Sequence, residues 1–82
     1  MPTQGILATK DAEAPSGTKI SDSEALGSIC GQFIANEDGF VSLVMVGGQT
    51  VRFYALKGVV YVMQFSRINL TGTEPSEIAC FY

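Results

Sequence analysis

FVSLVMVGGQTVRFYAL, residues 40–56, decides the fold. Two runs rich in Val, Phe, Leu and Tyr flank Gly47-Gly48. β-Branched and aromatic side chains suit a pleated strand, and paired glycines suit the turn between two strands. The reading is a β-hairpin. A two-residue loop would pair Met45 with Thr50 and Leu43 with Arg52, which sets Val41, Leu43 and Met45 on the face opposite Val51 and Phe53. A three-residue loop, Gly47-Gly48-Gln49, gathers all five on one face. A continuous apolar face is what fixes register, so the second arrangement is expected.

The other face of that hairpin is Phe40, Ser42, Val44 and Val46 beside Thr50, Arg52, Tyr54 and Leu56. It is not polar either. An antiparallel sheet with one wet side alternates cleanly between apolar and polar residues. Failure of the alternation implies that both sides are covered, one of them by a neighbouring subunit.

The same punctuation continues outward. SICGQFIA (28–35), VVYVMQFSRI (59–68) and EIACFY (77–82) read as further strands. Asn36-Glu37-Asp38-Gly39, Lys57-Gly58 and Thr71-Gly72-Thr73-Glu74-Pro75 read as turns. The expected fold is all-β: a small antiparallel β-sandwich or barrel of five or more strands over residues 28–82, preceded by an extended N-terminal arm over residues 1–27 that can add a short strand. The arm is rich in Thr, Ser, Ala, Gly and Pro and shows no periodicity. Its isolated apolar residues Ile6, Leu7 and Ile20 are expected to fill pockets on a neighbour while its backbone adds to a free sheet edge. Removal of residues 1–20 would then leave the β-domain folded. The expected subunit interface is Ile6, Leu7, Ile20, Phe40, Val44, Tyr54 and Leu56.

Composition supports assembly. Hydrophobic residues make up 46% of the 82 and charged residues only 16%, against about 25% charged in ordinary domains. Too few charges exist to clothe an isolated domain. The five Lys and Arg are scattered and the net charge is −3, which argues against nucleic-acid binding. No apolar run is long enough for a transmembrane helix, and the first residues lack the charged and apolar regions of a signal peptide, so a cytosolic origin and no membrane partner are expected.

Reactive constellations are missing. There is no histidine, so neither the commonest general base nor the commonest nitrogen metal ligand is present. The carboxylates lie in the arm, the turns or a strand end, where solvation explains them. Glu37-Asp38-Gly39 lacks the alternating oxygens and distal glutamate of a calcium loop, and Gly47-Gly48 lacks the lysine and helix of a phosphate loop. Cys30 and Cys80 fall in the first and last strands of the β-domain and read as buried thiols acting as small hydrophobes, a disulfide being the alternative. Neither an enzyme nor a bound cofactor or metal is expected.

Residues 21–82 resemble a family of small virion proteins of tailed bacteriophages. The features that carry this are ordered: Ser21-Asp22-Ser23 and Leu26 before the first strand, Asp38-Gly39, the Val41-x-Leu43-x-Met45 strand, the Gly47-Gly48 turn, Thr50-Val51-Arg52-Phe53, Lys57-Gly58, Ser66-Arg67-Ile68, Thr71-Gly72-Thr73 and a terminal strand closing on Tyr82. The chain departs from the pattern at Tyr61, Phe65 and Cys80. The resemblance implies a capsid decoration, cement or spike-base protein. It would reside in the virion after assembly from the host cytoplasm, be partnered by major capsid, spike or tail proteins, and be homo-oligomeric. The alternative is a receptor- or carbohydrate-binding module that stacks sugars on Tyr54, Tyr61 or Tyr82.

Overall fold

A computed structural model describes residues 4–82. The chain is all-β. Among the described residues six strands, β1 (Gly5–Thr9), β2 (Cys30–Ala35), β3 (Gly39–Met45), β4 (Thr50–Ala55), β5 (Val60–Ile68) and β6 (Glu77–Phe81), form one antiparallel sheet in the order β1-β6-β2-β5-β3-β4.

The hairpin is the expected one in its faces and shifted by one residue in its loop. Val41 pairs with Phe53 and Leu43 with Val51, so these side chains share the inner face. The three loop residues are Val46, Gly47 and Gly48, because the Met45 N–H donates to the Gln49 carbonyl at 2.7 Å. The Gly48 N–H closes the turn on the Met45 carbonyl, and Gly48 has φ of 89°. A type I turn followed by a left-handed residue is the standard three-residue connection, and glycine takes that last place without a Cβ penalty.

β5 coils the sheet. Its first half pairs with β2, from Ile34–Val60 to Cys30–Phe65, and its second half pairs with β3 through Val44–Arg67 and Leu43–Ile68. The register slips once in each half, opposite Gly31 and beside Met45. Each extra residue bends the strand and increases local twist. The sheet therefore curls into an incompletely closed barrel with extents of 26 × 25 × 22 Å. The chain beyond β4 comes round to β2, where the Gly58 N–H donates to the Ala35 carbonyl at 3.2 Å.

The core is the inside of this curl. Phe33 is fully buried and touches three aromatic rings: Tyr61 stacked at 5.2 Å, Phe65 edge-on at 5.6 Å and Phe53 tilted at 6.0 Å. Val41, Leu43, Ile68 and Ile78 close around them.

Residues 4–27 do not project as an arm; residues 1–3 of that expected segment lie outside the described residues. β1 pairs with β6 of its own chain and buries Ala8. The following segment crosses the open side of the curl. Its Ser21 N–H reaches the Ile68 carbonyl at 3.0 Å and its Leu26 N–H the Ser66 carbonyl at 2.8 Å. Ile20 and Leu26 enter the core at 3% and 1% exposure. The sparse apolar residues of the segment serve its own domain, so loss of residues 1–20 strips an edge strand and a core side chain. Asp22 fastens the crossing: its carboxylate accepts the Thr71 hydroxyl at 2.6 Å and the Thr71 N–H at 2.9 Å.

Two outcomes follow. Leu26→Ala is expected to lower stability by roughly 2–5 kcal/mol, read as a fall in the urea midpoint at unchanged slope. The Thr71 hydroxyl and then the Thr71 amide hold the Asp22 carboxyl below its ordinary value. A depressed carboxyl stabilises the fold above its unfolded-state value and loses that contribution as pH falls through the folded-state value. Wild type and Asp22→Asn should therefore melt apart at neutral pH and converge in acid beneath the ordinary carboxylate range, as thermal unfolding across a pH series will read.

Candidate functional site

The sheet has an outer surface in two parts. On β3–β4, Phe40 lies opposite Tyr54 and Ser42 opposite Arg52. The Phe40 and Tyr54 rings meet edge to face at 5.2 Å, and the Arg52 guanidinium sits 4.1 Å from the centre of the Phe40 ring. This cross-strand aromatic pair with a stacked cation is a self-satisfied cluster. Leu56 is exposed beyond the end of β4, and Val44 is half-buried beside Thr50.

The second part lies on β1, β6, β2 and β5. Paired residues of adjacent strands share a face, so the registers define rows across the sheet. One row runs Leu7, Ala79, Ile34, Val60. The next runs Gly5, Phe81, Gln32, Val62. Neither row contains a charged residue. Leu7 is 54% exposed, Val60 52% and Val62 73%. Beside the second row the slip opposite Gly31 opens a cleft of about 390 Å³, walled by Ile29, Gln32, Val62, Gln64 and Tyr82 among others.

Of the interface residues expected from sequence, Phe40, Tyr54, Leu56 and Leu7 are exposed. Ile6 is half-buried, on the inner face opposite Cys80. Ile20 is buried in its own core and is corrected from an interface residue to a core residue, because residues 18–26 fold back across the curl. Leu7 stands apart from the Phe40 group, on the outer rows of β1–β6–β2–β5. Sequence reading missed Val60, Val62, Ile34 and Phe81. The available signal was VVYVMQF, where Val60 and Val62 alternate with Tyr61, Met63 and Phe65, so the outward set is apolar up to Gln64.

The interior groups have structural partners. Tyr61 is packed against Phe33 and Phe53, and its hydroxyl accepts the Leu56 N–H at 2.9 Å, which removes its ring from any sugar-stacking surface. Cys30 and Cys80 are free thiols, both fully buried. The neighbouring Cys30 thiol and burial push the Cys80 thiol well up. Among the described residues no group of three or more His, Cys, Asp or Glu side chains is placed to hold a metal ion, and no helix is long and apolar enough to cross a membrane.

The chain matches no protein-family model, no curated protein and no solved structure.

Buried thiols react only when the fold opens. An aromatic disulfide reagent at neutral pH should therefore release almost no chromophore from the native protein, and the equivalent of both thiols after denaturation.

Proposed function

We propose that this protein is a non-enzymatic structural subunit that works by contact with other protein subunits, as the resemblance to tailed-bacteriophage virion proteins implies. Its place is that of a capsid decoration, cement or spike-base protein. The observation that carries the reading is the pair of charge-free rows on the outside of β1–β6–β2–β5, with Val62 73% exposed at one end and Leu7 54% exposed at the other. An apolar surface spanning four neighbouring strands is what a contact site presents and what an isolated domain hides. Fully burying one of these larger side chains contributes about 1.5–3 kcal/mol, against the cost of association. Several such contacts repeated over many copies hold a shell.

The reading as a sugar-binding module is less well supported. Tyr61 is interior, and the face of Phe40 is already occupied by Arg52.

Val62→Lys tests the proposal. An exposed site tolerates this change to within about 0.5 kcal/mol of folding stability. The same change sets a charge in the contact, and loss of about 1.4 kcal/mol there is tenfold in affinity. The expected result is normal melting with at least tenfold weaker binding to particles that lack the protein. Unchanged particle binding by Val62→Lys, together with glycan binding that Tyr54→Ala abolishes, would replace this reading with the sugar-binding one.

A further inference from the structure

β1 is an edge strand, and its unpaired backbone can be located. Gln4 and Tyr82 exchange N–H to carbonyl bonds at 2.9 and 2.8 Å, and the Lys10 N–H reaches the Ser76 carbonyl at 3.0 Å. Hydrogen-bonded pairs alternate along an antiparallel ladder. Gln4, Ile6, Ala8 and Lys10 therefore face β6, and Gly5, Leu7 and Thr9 turn their N–H and carbonyl groups outward. Thr9 is already satisfied by its own chain, donating to Thr18 at 2.9 Å and accepting from Ile20 at 2.8 Å. Among the described residues Gly5 and Leu7 are left open.

The side chains at this edge alternate between a protrusion and a gap. Leu7 stands out from the outer face at 54% exposure, and Gly5 has no side chain. The gap at Gly5 is walled by Phe81, whose ring carbons would lie 3.4 and 3.5 Å from a Cβ placed there. No residue from Gly5 to Thr9 is charged, and the Lys10 ammonium next to them is turned back onto the Glu74 carbonyl at 3.1 Å. The opposite edge differs. By the same alternation β4 turns Thr50, Arg52 and Tyr54 outward, with a charge in the middle of the strand, which blunts an edge against pairing.

We propose that a second copy of this chain docks on β1, antiparallel and edge to edge, about a two-fold axis through Ile6. This rests on the reading of the protein as an assembling subunit and names one of its contacts. In this register Gly5 opposes the partner's Leu7 and Leu7 opposes the partner's Gly5, so every open backbone group of the two residues is paired. The partner's Leu7 drops into the gap at Gly5 against the Phe81 ring, and the reciprocal contact follows from the symmetry of an isologous interface. Setting Leu7 against Leu7 would bring Gly5 to Thr9, whose groups are occupied, and setting Gly5 against Gly5 would forfeit the fit of Leu7 into the gap. The outer rows then join across the axis: Val62, Gln32, Phe81 and Gly5 of one copy continue into the partner's Leu7, Ala79, Ile34 and Val60.

Light scattering across concentrations up to millimolar is expected to show a mass rising from 8.7 kDa toward twice that value. Leu7→Pro removes an N–H that has no partner among the described residues, and an outward-facing edge position tolerates proline; it should weaken dimerisation at least tenfold. Amide hydrogen exchange on the unaltered protein gives a second reading, which decides the matter should the proline variant fail to fold. Exchange at Gly5 and Leu7 should slow at least fivefold from dilute to concentrated solution, while Thr50, Arg52 and Tyr54 on β4 keep their rates. A mass fixed at one chain, a dimer that leaves the Gly5 and Leu7 rates unchanged, or a folded Leu7→Pro variant that still dimerises overturns the proposal. A chain that stays single yet binds particles through Val62 sinks the edge contact alone, and one that dimerises through β1 yet ignores particles sinks the particle reading alone.

Discussion

β5 pairs with β2 over its first half and with β3 over its second, and the curl of the whole sheet depends on that sharing. A strand that kept one neighbour throughout would give a flatter sheet whose inner face no element of this chain is large enough to cover. The two slips in register bend β5 where it changes partner, so β2 and β4 come round to face each other across Phe33. An aromatic cluster of Phe33, Phe53, Tyr61 and Phe65 then fills a space that a chain of 82 residues could not fill with a second layer. Tyr61 and Phe65 each bring a ring against Phe33 in this cluster.

The remaining open side is closed by the chain's own start. Ile20 and Leu26 enter the core from residues 18–26, and Asp22 holds the crossing to Thr71. This accounts for part of the shortage of charge, because a segment that reads as exposed arm spends its apolar residues inside. It does not account for Leu7, Val60 and Val62, which remain outside after every element is placed. The apolar excess on the outer face is thus a property of the completed fold.

Much of this was legible where alternation is intact. Val41, Leu43, Val51 and Phe53 fall on one face as the hairpin pattern demands, and the proximity of Cys30 and Cys80 follows from the adjacency of β2 and β6. The loop was misplaced by one residue because either glycine satisfies a left-handed position by composition, and only the closed ladder selects Gly48. The far end of β5 was illegible for a different reason. Tyr61, Met63 and Phe65 point inward, but so does Ile68, since an extra residue intervenes and reverses the parity. A period-two reading cannot be carried through such a slip. The path of residues 18–26 is not legible, because one apolar residue every several positions gives no period, and its anchoring is by backbone hydrogen bonds to Ser66 and Ile68 that composition does not encode.

An uncharged edge beside an apolar face invites unlimited pairing, and the fold restricts it at three points. Thr9 is sealed by Thr18 and Ile20, which shortens the open part of β1 to Gly5 and Leu7 among the described residues. Arg52 stands in the middle of β4, so the two edges of one molecule are not equivalent templates. The end of β4 is capped where the Leu56 N–H meets the Tyr61 hydroxyl. A head-to-tail contact between unlike edges would propagate into a filament, whereas a contact between like edges about a two-fold axis consumes both open strands and stops. With β4 blunted and β1 short, the closed contact is the one the backbone favours. For the proposed pair, growth beyond two copies would be left to the apolar rows, whose direction is across the sheet surface and not along its hydrogen bonds. In the assembly proposed above, this separation would give a small β-subunit one contact that terminates and another that engages a larger body, without exposing a free strand edge to aggregation.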